Sequence, residues 1–159
     1  MLVPHATLGT LLRRLIEELD GAVDESYKRA GLDYRARFTP VVKALSLSGP
    51  LPLRVLAERA TVSHSATSQT VSQMAKMGLV STAPGTDGRE RMVSLTPYAL
   101  KILPELEACW KATEAAARTL DADLGQPVAE VLISLLDALK KRPFLDRILK
   151  SRTASEDLA

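Results

Sequence analysis

The chain has 159 residues, which fits one domain of ordinary size or a small domain with helical extensions. Apolar residues form 46% and charged residues 25% of it, as in a soluble protein with a core, and the net charge of +2 is too small to indicate nucleic acid by itself. No apolar run reaches the ~20 residues that span a bilayer, and the N-terminus lacks a secretory pattern. One cysteine excludes an internal disulfide, so we expect a cytoplasmic protein without a membrane partner.

The N-terminal part of the chain predicts a long amphipathic helix followed by a basic connector. Apolar residues recur at helical spacing over residues 8–30, and Gly31 is a suitable end. The connector, residues 32–38, carries Arg35 and Arg37. This arrangement gives a helix whose apolar stripe needs a partner.

A second, shorter helix is predicted next. Thr39-Pro40 indicates its start, because threonine can cap a helix and proline is favoured at the first helical position. Gly49-Pro50 indicates its end after Leu47. Leu51 then has the character of a short strand, and we expect it to pair with a later hairpin.

The most informative stretch is LRVLAERATVSHSATSQTVSQMAKMGLV, residues 53–80. It predicts a helix that ends at Ala60, a three-residue turn, and a second helix that Ser63 caps and Gly78 ends. The apolar face of the second helix is predicted to carry Ala66, Thr70, Val71, Met74 and Met77. Two helices joined by so tight a turn form a helix-turn-helix, whose second helix can enter the major groove of DNA.

Two strands are predicted directly after these helices. Residues 79–82 and 91–95 have strand composition, and residues 83–90 between them are rich in turn residues. A β-hairpin that follows a helix-turn-helix makes a winged helix. Its loop carries Arg89, with Arg91 at the base.

The rest of the chain predicts further helices. They cover residues 97–120, 127–141 and 144–150, and a polar tail, predicted to fray, begins at Ser151. Pro104 falls inside the first of them and predicts a kink, because it cannot donate a helical hydrogen bond.

The wing sequence GLVSTAPGTDGRERMVSLT resembles that of the MarR family of transcriptional regulators. The family's mark is an Asp-x-Arg pair followed by a strand that ends in Leu-Thr, and those positions hold Asp87, Arg89, Leu95 and Thr96. The stretch LAERATVSHSATSQTVSQM is similar to the family's helix-turn-helix, and the resemblance covers about residues 8–150. Pro52 departs from the family, which often has a serine or threonine cap there.

The resemblance implies a mainly α fold with a small β-hairpin wing: a winged helix-turn-helix with N- and C-terminal dimerisation helices. We divide the chain into a dimerisation helix with a linking helix (1–48), a DNA-binding domain (49–96), C-terminal dimerisation helices (97–150) and a flexible tail (151–159). Three long amphipathic helices cannot all bury their stripes on so small a head. We therefore expect a homodimer, with a monomeric helical cap as the alternative.

Polar residues on the second helix of the motif are predicted to contact double-stranded DNA: His64, Ser65, Thr67, Ser68, Gln69, Ser72 and Lys76. Gln69 suits an adenine, but the helix lacks the arginine that most often reads guanine, so direct readout is modest. In the wing we predict three further DNA-binding residues: Asp87, Arg89 and Arg91. Arg89 is predicted to enter an A·T-rich minor groove while Asp87 orients its guanidinium. The alternative for the helix is that its polar face is simply solvated. The alternative for Asp87 and Arg89 is a surface ion pair that contributes little.

Many members of the family bind small aromatic acids between the dimer helices and the head, which releases DNA. Tyr34, Arg35, Arg37 and Trp110 are candidates for such a pocket, since a cation beside aromatic rings suits an anionic aromatic effector. The alternative carries at least equal weight: Trp110 packs in the core or the dimer interface, and the arginines are solvated or contact phosphate.

No catalytic, cofactor or metal site is predicted. His5 and His64 are far apart and lack metal-ligand spacing, and no glycine-rich phosphate loop is present. Cys109 is interpreted as a structural thiol, with a redox sensor as the alternative. We predict a homodimeric regulator, a repressor, that binds an inverted-repeat operator. A winged-helix module that binds a protein instead of DNA is the competing hypothesis.

Overall fold

The computed structural model describes residues 6–60, 63–85 and 90–156, with side chains up to Arg152. The elements follow in the order α1 (Leu8–Arg29), a 3₁₀ turn (Ala36–Phe38), α2 (Thr39–Ser48), β1 (Leu51–Pro52), α3 (Leu53–Arg59), α4 (His64–Lys76), β2 (Val80–Pro84), β3 (Arg91–Leu95), α5 (Pro97–Leu124), α6 (Val128–Lys141) and α7 (Phe144–Glu156). The predicted fold class, mainly α with a small β-hairpin wing, is confirmed.

Local signals set several of the helix ends. Gly31, Gly49 and Gly78 have φ values of 74°, 72° and 70°, a conformation that glycine adopts without a steric penalty, and each lies just after a helix. The prediction that Thr39 caps α2 is wrong, because Thr39 is already helical and Phe38 precedes the helix. The Thr39 hydroxyl is instead hydrogen-bonded to the Tyr27 hydroxyl, 3.2 Å away.

The sheet has three antiparallel strands in the order β1-β3-β2. Leu51 pairs with Val93, which confirms the predicted addition of a short strand to the hairpin. Val80 pairs with Leu95 at the helix end of the hairpin, and Pro84 pairs with Arg91 at the loop end. The sheet therefore holds the start of α3 beside the wing.

Thr96 joins the end of the hairpin to two helices. Its hydroxyl donates to the carbonyl oxygen of Gly78 at 2.6 Å and accepts from the Ala99 amide at 3.1 Å. Thr96 thus caps the start of α5, and the same side chain fixes the chain that leaves α4.

The core lies within one compact unit, residues 1–111. Its largest fully buried side chains come from α1, the 3₁₀ turn, the helix-turn-helix and the first part of α5, and include Tyr27, Phe38, Leu56, Met74, Leu79 and Leu106. Tyr34 packs edge-to-face against Tyr27 and Phe38, with ring centroids 4.9 and 5.6 Å apart. These aromatic contacts fix the connector against α1.

A second unit, residues 112–159, contains the end of α5 together with α6 and α7. α5 is longer than predicted and contains Pro104, and α7 continues through residues 151–156, which the sequence assigned to the tail. No residue of α6 is buried. Along the described ranges, no helix is both long and apolar enough to cross a bilayer.

Candidate nucleic-acid interface

The predicted cap of α4 is confirmed. The hydroxyl of Ser63 accepts the amide of Ala66 at 3.3 Å, and Ser63 itself is extended, with φ −59° and ψ 150°. The first turn of α4 thereby has one of its free amides satisfied, and others remain available at an exposed helix N-terminus. Thr61 and Val62, in the turn before it, lie outside the described residues.

One face of α4 is buried against the rest of the head. It consists of Thr67, Val71 and Met74, at spacings of four and three residues. Thr67 is only 1% exposed, and its hydroxyl donates to the carbonyl oxygen of Ser63 at 3.0 Å. The assignment of Thr67 as a DNA contact is therefore wrong, because its polar atom is used inside the helix and its side chain is part of the core.

The opposite face of α4 is polar and accessible. Its exposed residues are His64, Ser65, Gln69, Ser72, Gln73 and Lys76, and Ser68 is half-buried. Gln69, Gln73 and Lys76 follow one another at helical spacing, so their side chains share one face. Sequence reasoning missed Gln73, although its position four residues after Gln69 was the signal. Amide, hydroxyl and ammonium groups of this kind can bond base edges and phosphates.

The wing is described only up to the base of its loop. Gly85 donates its amide to the carbonyl oxygen of Glu90 at 2.7 Å, which closes that base. Arg91 is exposed and donates to the Thr82 hydroxyl across the strand pair, at 3.3 Å. Asp87 and Arg89, the predicted minor-groove pair, lie outside the described residues, so their roles stay predictions.

Some basic side chains around the motif are already bonded to other residues of the chain, and one forms no ion pair with any described residue. Arg54 forms an exposed ion pair with Glu58 at 2.9 Å, and Arg59 donates to the hydroxyl of Ser48. Lys76 forms no ion pair with any described residue. Its charge is therefore available to a phosphate.

The four residues predicted to form an effector pocket are not brought together. Trp110 donates its indole N–H to the Tyr27 hydroxyl at 3.1 Å, and the Lys43 ammonium lies 5.0 Å from the centre of its ring. Tyr34 and Arg35 line a cleft of about 630 Å³ beside α1. Arg35 and Arg37 line a second cleft, of about 330 Å³, that reaches α4. Trp110 lines neither of these two clefts.

Two groups, the buried Tyr34 hydroxyl and the half-buried Cys109 thiol, resist ionisation. Tyr34 is 3% exposed, its hydroxyl has no hydrogen-bond partner among the described residues, and burial raises its pKa. Burial and, to a lesser degree, the charge of Glu105 raise the pKa of Cys109. A thiol with a raised pKa is less often the reactive thiolate, which favours the structural interpretation. In the described ranges, no group of three or more histidine, cysteine or acidic side chains is placed to hold a metal ion.

A helix-turn-helix followed directly by a strand-paired hairpin defines the winged-helix class. No protein-family model matches the chain, and no curated protein matches it significantly. Solved structures do match it. A MarR family transcriptional regulator from Silicibacter pomeroyi is 27% identical, with a TM-score of 0.60, and the match covers 84% of this chain and 96% of that one.

Two further matches are more distant in sequence. The transcriptional regulator MOSR from M. tuberculosis, solved with DNA, is 22% identical over 87% of this chain and 100% of its own, with a TM-score of 0.70. PcaV from Streptomyces coelicolor, solved with its natural ligand, is 20% identical over 89% and 99%, with a TM-score of 0.63. The chain has the winged-helix fold of the MarR-family transcriptional regulators, and the predicted resemblance is confirmed. These regulators are not enzymes.

Proposed function

We propose that the chain is a homodimeric repressor that binds an inverted-repeat operator through α4 and the wing. The observation that carries the proposal is the polar face of α4, which is exposed along its length while the opposite face is anchored in the core. The hairpin follows α4 immediately, so one head presents two elements suited to neighbouring grooves. MOSR, which has the same fold, was solved in complex with DNA.

Exposed apolar surface supports the homodimer. On α1, Leu8, Leu11, Leu15, Ile16 and Leu19 are all exposed. In the second unit, α6 and α7 expose another set: Val131, Leu132, Ile133, Leu136, Phe144, Leu145, Ile148 and Leu149. Helical stripes of this kind are costly in water, and each can be buried against the same element of a second copy around a two-fold axis. Two recognition helices about 34 Å apart then read an inverted repeat.

A small aromatic anion is the proposed effector. PcaV was solved with its natural ligand and NadR with 4-hydroxyphenylacetate. The proposal rests on these neighbours and not on a formed pocket in this chain: the larger cleft is lined by Lys28 and Arg35 but also by Asp24, Glu25 and Asp33, and Arg35 is paired with Asp24. Release of DNA requires that the effector bind one arrangement of the two heads more tightly than the other.

The test begins with selection of duplexes from a random pool by the purified protein. Gel shifts over a salt series then measure affinity for the selected sequence and a scrambled one. We expect an inverted repeat, preference over the scrambled duplex, and affinity that falls steeply with salt because lysines and arginines displace counterions. Failure to enrich any sequence, together with capture of a protein partner, would favour the protein-interaction module.

A further inference from the structure

The connector between α1 and α2 is held by one carboxylate of α1. Asp24 Oδ1 accepts the Ala36 amide at 2.6 Å, and Asp24 Oδ2 accepts from Arg35 Nη1 at 3.5 Å. Ala36 is the first residue of the 3₁₀ turn, where an amide has no acceptor within its own helix. Asp24 supplies that acceptor with a charged, half-buried oxygen, and so ties the turn to α1.

The same 3₁₀ turn contacts α4. Arg37 and Phe38 of the turn line one cleft with Gln73, Lys76 and Met77, at the C-terminal end of α4. Phe38 is fully buried and packs on the Tyr34 ring, so the turn cannot shift without disturbing the core. A single short segment therefore touches both the helix with the exposed apolar stripe and the helix with the exposed polar face.

A second carboxylate of α1 lies near this junction. Asp20 lies one turn before Asp24 on α1. Burial and the neighbouring Asp24 charge raise the pKa of Asp20, while the Arg37 guanidinium acts to lower it. The net effect disfavours the charged form of Asp20, so the carboxylate that holds the connector is that of Asp24.

We propose that Asp24 is a positioning residue that fixes the orientation of α4 relative to α1, and thereby the half-site spacing that the dimer accepts. The proposal rests on the proposed function, since α1 must belong to the dimer interface and α4 to the DNA interface. Without Asp24 the turn loses its charged acceptor on α1 and is held there by the aromatic contacts alone, so each head can adopt a wider range of orientations. The dimer then tolerates operators whose half-sites are too close or too far apart.

The experiment compares spacings. The duplex selected by the wild-type protein is remade with the spacer between its half-sites lengthened or shortened by one base pair, and the dissociation constant is measured for each. The readout is the dissociation constant for an altered spacer divided by that for the selected spacer. In Asp24→Ala we expect this ratio to fall by about tenfold, the effect of losing a charged hydrogen bond. Asp24→Asn keeps an oxygen for the Ala36 amide, and its ratio should fall by about threefold.

The matched control is Glu25→Gln. Glu25 is the next residue of α1, but its carboxylate pairs with Arg29 on the same helix, at 3.0 Å, and its ratio should equal that of the wild type. A loss of stability alone lowers the active fraction equally for every spacing and leaves the ratio unchanged. An unchanged ratio in a folded, dimeric Asp24→Ala protein overturns the proposal; if that variant does not fold, an unchanged ratio in Asp24→Asn does so. A wild-type protein that selects no duplex overturns the proposed function, and this inference with it.

Discussion

Trp110 donates its indole N–H to the hydroxyl of Tyr27, 3.1 Å away and 83 positions earlier in the chain. The same hydroxyl is bonded to Thr39 Oγ1, so one polar group joins α1, α2 and α5. Tyr27 is almost fully buried, and a polar atom in that position is costly unless it is bonded. The aromatic residues singled out as an effector site thus include two, Trp110 and Tyr34, that hold the fold together.

Trp110→Phe should lower the free energy of unfolding by about 1 kcal/mol, because the Tyr27 hydroxyl loses a donor but keeps Thr39. Urea denaturation at a fixed protein concentration measures the change. Tyr98→Phe, at an exposed position of the same helix, should leave stability unchanged. A larger loss in Tyr98→Phe than in Trp110→Phe would contradict the assigned role.

Tyr34→Phe should leave the free energy of unfolding at pH 7 unchanged or slightly raised, because the hydroxyl it removes is buried with no hydrogen-bond partner among the described residues. Its pKa is raised by burial in the folded state, so the folded protein keeps the Tyr34 proton at a pH where the unfolded chain loses it. Wild-type stability should therefore fall as the pH rises above about 10, and Tyr34→Phe should lose less. Urea titrations at pH 7 and pH 10.5 compare the two proteins. If the free energy of unfolding falls equally in both proteins between pH 7 and pH 10.5, Tyr34 is not the group with the raised pKa.

Gln73→Ala and Thr67→Val form a matched pair on α4. Gln73 lies on the exposed face, so its truncation should weaken operator binding by about 1–3 kcal/mol without loss of stability. Thr67 is buried, so Thr67→Val should lower stability by about 1 kcal/mol and leave the affinity of the folded protein unchanged. Gel shifts and thermal melts on both variants separate the two effects. A reversed pattern would mean that the recognition face is assigned wrongly.

Arg89→Ala should weaken operator binding by about 1–3 kcal/mol, on the sequence-based expectation that Arg89 enters the minor groove. The slope of affinity against salt should decrease by about one phosphate contact if the side chain touches the backbone. Arg118→Ala is the control, since Arg118 pairs with Glu114 on the same helix, in the second unit. Equal affinity of the Arg89 variant and the wild type would remove the wing from the interface.

Local chemistry made much of the fold predictable. Glycines at helix ends, the Ser63 cap and the strand at Leu51 each act through neighbours in sequence or through a simple pairing rule. The errors at Thr67 and Thr39 have one physical cause, which is that a polar residue type does not reveal where its hydrogen bond goes. Thr67 bonds the preceding turn of its own helix, and Thr39 bonds Tyr27.

The candidate site divides in the same way. The exposed face of α4 follows from helical periodicity, which is local. Thr67 was assigned to this face but lies on the buried one. The positions and partners of Tyr34 and Trp110 depend on packing between segments far apart in the chain, and helical periodicity does not predict such packing. The bond from Asp24 to Ala36 was likewise invisible, since it joins a helix to a connector through a turn whose geometry the residues alone do not specify.

The most direct test of the central claim is the stoichiometry of the complex with DNA. Analytical ultracentrifugation of the protein with the selected duplex should give two chains per duplex, and removal of one half-site should abolish tight binding. The same protein without DNA should sediment as a dimer, and Leu15→Arg, within the exposed stripe of α1, should convert it to a monomer that binds the operator weakly. A wild-type protein that is monomeric, or that binds the operator as a single chain, would contradict the account.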